Sequence, residues 1–106
     1  VTREELQAGE TYFSLMYADE KLTLPHIETL IYLGETEMDE PDRVRVHLFQ
    51  YAESFHIDGN WKQMSEETRA TYEEVPLVFF ELDNVEPICD GDGLIQQLQS
   101  WRERSR

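Results

Sequence analysis

RVRVHLFQYAESFHI, Arg43 to Ile57, is the stretch on which the fold turns. Its β-branched and aromatic side chains suit a pleated, half-buried strand. Alternation puts Val44, Val46 and Leu48 on one face and Arg43, Arg45, His47, Phe49 and Tyr51 on the other. Fifteen residues is long for one strand, the usual length being about 5–6. A bend or bulge is therefore expected near Ala52–Ser54.

Downstream, Asp58-Gly59 lies between apolar runs, which is a hairpin signal, with NWKQM (60–64) expected as the return strand. In SEETRATYEE, Ser65 is placed to cap a short helix with Glu66 and Glu67 in its first turn. Pro76 keeps Val75 extended. PLVFFEL (76–82) is the most apolar run and is expected at the centre of the sheet. Upstream, HIETLIYL (26–33) divides into Ile27, Thr29, Ile31, Leu33 and His26, Glu28, Leu30, Tyr32. Both sets turn apolar in their later half, which predicts burial on both sides there. Pro25 points to an edge position at that strand's start. TYFSLMY (11–17) alternates Phe13, Leu15, Tyr17 with Tyr12, Ser14, Met16. Thr2 and Glu5 have capping-box spacing for a short N-terminal helix that Gly9 would stop. In the tail, Leu94, Leu98 and Trp101 recur at helical spacing, with Arg102, Arg104 and Arg106 toward the end where a helix dipole favours cations.

Strand signals joined by tight polar turns leave no room for the helical crossovers of a parallel sheet. The expected fold is mainly β with α+β character. It is a small five-stranded antiparallel sheet, strongly bent or closed into a barrel, with the C-terminal amphipathic helix over an open end. Residues 1–106 read as a single domain. The strand rhythm over residues 6–82, with a short L…G lead-in, resembles the small SH3-like barrels.

The chain has 23 acidic and 9 basic residues, a formal net charge of −14. Three of those Arg lie in the last five residues, so the acid excess sits in the body before them. Such a surface repels phosphate backbones and anionic membranes, since nucleic-acid binding depends on cations that release counterions. Another protein, above all a basic one, is the partner class that charge allows. One cysteine, Cys89, cannot form an internal disulfide and fits a reducing cytoplasm. VTREELQAGE carries no secretory apolar region.

Each catalytic or metal template fails on spacing. CDGDGLI (89–95) opens like a calcium loop, yet the fifth, sixth and twelfth positions counted from Asp90 are Leu94, Ile95 and Trp101. Asp92 reads instead as the cap of the tail helix. GETEMDEPD (34–42) holds five acids with no fixed ligand spacing, so a solvated loop is expected. His26, His47 and His56 form no zinc pattern. No nucleophile elbow surrounds a serine, and acidic neighbours would suppress a Cys89 thiolate. No cofactor and no metal site are expected.

The feature against the grain is the face of Arg45, His47, Phe49 and Tyr51, cations beside aromatics in an acidic chain. Exposed next to Tyr32 or Trp61, it would suit a peptide or an anionic ligand. Alternatively, Arg43 and Arg45 pair with Glu28 or the acidic loop while Phe49 and Tyr51 enter the core. The functional expectation is a non-catalytic protein-interaction module using that face or the acidic surface. The alternatives are an acidic decoy or immunity-type inhibitor of a basic enzyme or DNA-binding protein, and a small hydrolase using carboxylates with His47 or His56.

Overall fold

The computed structural model describes residues 1–21, 24–38 and 44–104. Asp39, Glu40, Asp42, Arg43 and Arg106, which figure in the readings above, lie outside the described residues. Five strands form one antiparallel sheet: β1 (Thr11–Tyr17), β2 (Pro25–Met38), β3 (Val44–Tyr51), β4 (Leu77–Glu81) and β5 (Ile88–Cys89). Their order is β4-β3-β2-β1-β5. The sheet is bent but open; a closed barrel does not form.

The bend comes from β2. Its first half pairs with β1, Tyr17 opposite Pro25 through Thr11 opposite Ile31, and its second half pairs with β3. Pro25 thus sits where β2 has a neighbour on one side only, as its missing N–H requires. The register slips between Tyr32 and Gly34. Gly34 takes φ +108° at this bulge, a conformation that a side chain would strain. Leu30 and Tyr32 are buried on one face, Ile31 and Leu33 on the other, so the two-sided burial expected of this strand holds.

The first face carries Tyr12, Leu30, Tyr32, Phe49 and Ile88, with Val1 and Leu6 packed against them. The chain leaves β4 at one edge and reaches β5 at the other within residues 82–87. A flat sheet of five strands would span about 19 Å between edge strands. Six residues containing two tight turns, Asn84 N–H to Glu81 O and Ile88 N–H to Val85 O, close that gap only because the edges curl toward each other.

The second face carries Ile31, Leu33 and Leu48 under Ala52, Phe55, Trp61 and Leu77. The bend expected near Ala52 is a change of element: β3 ends at Tyr51 and α1 (Ala52–Asp58) begins. Asp58-Gly59 is not a hairpin. Gly59, at φ +82°, closes α1 with its N–H on Phe55 O at 2.9 Å. An Asp-Gly pair supplies positive φ, which a helix C-terminus uses as readily as a hairpin turn. NWKQM is likewise no strand; Trp61–Gln63 is one 3₁₀ turn, with the Asn60 side chain accepting from Lys62 N–H at 2.9 Å. Lacking that neighbour, β4 lies at the edge rather than the centre. The fifth strand is instead Ile88–Cys89, on the far side of β1.

Helix α2 (Glu66–Arg69) starts as expected, with Ser65 Oγ accepting from Thr68 N–H at 3.2 Å. The N-terminal helix is a single 3₁₀ turn, Arg3–Glu5, with Thr2 N–H on Glu5 Oε1 at 3.0 Å. Helix α3 (Gly91–Arg104) begins earlier than expected: Asp90, not Asp92, caps it, Oδ1 accepting from Gly93 N–H at 2.8 Å. The helix lies along β1 and β5 and buries no residue completely. Leu94, Leu98 and Trp101 are half-buried and Ile95 is 56% exposed. It therefore flanks the sheet instead of stoppering its core, since both faces already have covers of their own.

Candidate functional site

The sheet divides the residues singled out in the sequence. Tyr32, His47 and Phe49 are buried on the first face, at 5%, 0% and 0% exposure. Tyr51 is half-buried against the same cluster. Trp61 covers the second face, and Arg45 stands exposed at the rim of the first. An exposed aromatic-basic surface is therefore not formed. The physical reason is area: Phe49 meets Tyr12, Tyr32 and Phe80 with ring centroids 6.3, 5.0 and 5.5 Å apart, and burying such rings outweighs leaving them wet.

His47 is held by two partners, Tyr32 Oη at 2.9 Å from Nδ1 and Leu82 O at 3.1 Å from Nε2. A carbonyl only accepts, so Nε2 carries the proton. In the neutral ring Nδ1 then accepts, and the Tyr32 hydroxyl donates to it. Burial, followed by the nearby Glu35 carboxylate, pushes the Tyr32 phenol above its ordinary range. His47 thus clamps the crossover after β4 onto β3. His26 is exposed and bonds Glu28 at 3.2 Å, and His56 is exposed on α1. The three histidines do not converge.

Arg45 follows the cross-strand alternative. Its guanidinium lies 3.4 Å from Glu35 Oε2, while Arg3 reaches Glu35 Oε1 at 2.9 Å. The hydrogen bond from Arg3, with Arg45 adding to it, holds the Glu35 carboxyl below the usual carboxylate range. Glu35 therefore joins the N-terminal turn to the β2–β3 pair.

Sequence reasoning missed the polar network under α1. Gln50, fully buried, donates from Nε2 to Ser54 Oγ at 2.9 Å and Gly59 O at 3.0 Å, and its Oε1 accepts from Trp61 N–H at 2.9 Å. With both amide hydrogens spent, Ser54 Oγ accepts from Gln50 and its own proton goes to Tyr72 Oη, 3.1 Å away. Tyr72 in turn donates to Asp58 Oδ2. A serine–tyrosine–aspartate chain resembles a nucleophile with its base, but the polarity is wrong for one. The bond to Asp58 keeps the Tyr72 phenol protonated and raises its pKa, so it cannot take the serine's proton. The chain fastens the turn after α1 in place. Gln50, the one polar residue of β3 on the face of Val44, Val46 and Leu48, was the available signal.

Cys89 is buried, with its Sγ 3.5 Å from Phe13 O. Burial raises its thiol pKa, and the Asp90 charge adds to this, which opposes a thiolate. Among the described residues no group of His, Cys, Asp or Glu has the arrangement of a metal site. Asp90 already serves as a helix cap. The surface clefts are small and open, about 260–370 Å³, near the lower end of ligand pockets. The one beside α1 is lined by Tyr51, Ile57, Tyr72 and Pro76 together with the acids Glu53 and Asp58. No helix among the described residues is long and apolar enough to cross a membrane.

Charge is what the fold leaves outside. Arg3 and Arg45 are on Glu35. Lys62 Nζ reaches Leu33 O at 3.2 Å. Arg69 donates twice to Trp61 O, at 3.0 and 2.6 Å, with its guanidinium 5.2 Å from that ring. Arg104 donates to Tyr17 Oη at 2.9 Å. Five cations are thus engaged within the molecule, while Glu53, Glu66, Glu67, Glu73, Glu74 and Glu81 stand exposed. Comparison with protein-family models, with curated proteins and with solved structures finds no match to this chain, so its reading rests on its own residues.

Proposed function

We propose that the chain is a non-catalytic protein-interaction module that meets a basic partner through its acidic surface. The observation that carries this is that Arg3, Arg45, Lys62, Arg69 and Arg104 are each engaged by groups of the chain itself. It leaves a surface of exposed carboxylates in a chain of net charge −14. Such a field speeds encounter with cationic surfaces and rejects anionic ones. The SH3-like character belongs to the same proposal and is supported by the bent five-stranded antiparallel sheet alone, since only four of its strands lie within residues 6–82.

The test is titration calorimetry with a lysine-rich peptide and an acidic peptide of equal length, at low and at physiological ionic strength. At the latter the screening length falls to about 8 Å. Binding of the basic peptide alone, weakening with salt, is the expected result. Equal binding of both, or of neither at low salt, would overturn the reading. A decoy that works by charge alone would lose its natural partner steeply with salt. A module that also uses shape would hold it with little change.

A further inference from the structure

The acidic-surface reading names a charge class but no docking geometry, and the outer edge of β4 supplies one. Tyr51 N–H bonds Pro76 O at 3.0 Å, which fixes the alternation of the β3–β4 ladder. Val78 and Phe80 point their backbone groups at β3; Leu77, Phe79 and Glu81 point theirs outward. Glu81 O is taken by Asn84 N–H at 3.0 Å. Among the described residues no backbone bond uses the outward groups of Leu77 or Phe79, and β4 pairs with β3 alone. Phe79 is 43% exposed beside that edge. An apolar strand edge with free donors and acceptors is a template for another extended segment.

We infer that β4 accepts an extended segment of another protein as a sixth strand, one with alternating apolar residues and lysine or arginine at its ends. The inference rests on the acidic-surface reading and adds the place of docking. Charge selects this occupant. Glu73 and Glu74 precede β4, and Glu81 and Asp83 bracket its other end, all exposed. A second copy of this chain would set those carboxylates against its own, whereas a segment with basic ends would neutralise them. Apolar side chains at its centre would cover Phe79.

The experiment uses the whole chain with acetyl-Lys-Arg-Val-Thr-Val-Thr-Val-Arg-Lys-amide. Its control, acetyl-Lys-Arg-Pro-Thr-Pro-Thr-Pro-Arg-Lys-amide, has equal charge but cannot complete a ladder. Amide hydrogen exchange is read residue by residue. With the first peptide at ten times its Kd, the Leu77 and Phe79 amides should exchange roughly tenfold more slowly, because only the unbound fraction opens. The control should leave them unchanged. Phe79→Pro deletes an outward donor and should abolish the difference between the peptides; the exchange measurement on the unaltered chain stands if that variant misfolds. Binding without protection at Leu77 and Phe79 overturns the edge and leaves the acidic-surface reading intact, as does equal binding of both peptides. Absence of binding by either at low salt overturns both. Protection of the same amides without peptide, rising with protein concentration, makes a second copy the occupant and overturns the choice of partner.

Discussion

Tyr32→Phe isolates one buried hydrogen bond. The substitution keeps the ring, and with it the contacts to Tyr12 at 6.4 Å and Phe49 at 5.0 Å. It deletes the oxygen that donates to His47 Nδ1. His47 is at 0% exposure, so water does not replace the donor. Because Nε2 remains committed to Leu82 O, the ring cannot exchange its tautomer without losing that bond as well. An orphaned buried acceptor costs about 1–3 kcal/mol, a large share of the roughly 5–15 kcal/mol of a small domain. Urea unfolding should show that loss as a lower midpoint with unchanged slope. Alkali gives a second readout. The Tyr32 pKa is raised in the folded state, so its contribution is present below the ordinary phenol value near 10 and is lost as pH rises through the folded one. Tyr51 and Tyr72 are also raised, so the variant should flatten the alkaline decline only in part. A loss under about 0.5 kcal/mol, with the alkaline decline unchanged, would refute the clamp; changes this small are typical of surface substitutions.

The remaining expectations concern the termini and the ion pairs. Trp101→Ala should cost about 1–2 kcal/mol by chemical denaturation, because the ring is half-buried; a core plug would cost about 3–5 kcal/mol. Asp90→Ala should cost about 1 kcal/mol through the lost cap on Gly93 N–H, while Asp92→Ala should stay within about 0.5 kcal/mol. Glu35→Gln should remove a contribution that is present above the ordinary carboxylate range and disappears as pH falls through the lowered folded value. Acid titration of stability should therefore separate the variant from the parent near neutral pH and merge them in strong acid.

Much of the architecture was legible because period carries it. The two-sided burial of Leu30–Leu33 follows from two apolar sets in one strand, and Ser65 and Thr2 announce their turns by cap chemistry. What failed was local chemistry that serves two structures. Asp58-Gly59 provides positive φ whether a hairpin or a helix end needs it, and only Gln50, reaching Gly59 O and Trp61 N–H, decides between them. That contact depends on how α1 folds back over β3 rather than on a period or a dipeptide, so pattern reading does not reveal it. The misplacement of β4 followed, since a lost hairpin removed its outer neighbour. The aromatic-basic face failed for a different reason. Alternation placed Arg45, His47, Phe49 and Tyr51 together correctly, but whether a face meets solvent depends on which segment crosses it, here residues 82–88 and the N-terminus.

Charge then acts on this molecule in two opposed ways. The exposed carboxylates repel one another in the compact state, because acids outnumber bases 23 to 9 and five of those nine cations are held by carbonyls, rings and a single glutamate. Added salt screens that repulsion and favours the folded chain. The same screening weakens attraction for a basic partner. A complex held by surface charge must therefore loosen under conditions in which the free protein grows more stable. Loss of binding with salt accompanied by loss of fold would point to the Glu35 pairs as the dominant electrostatic contribution. Loss of binding with gain of fold assigns the field to partner recognition, at a cost the core of Phe49, Leu30 and Ile88 has to offset.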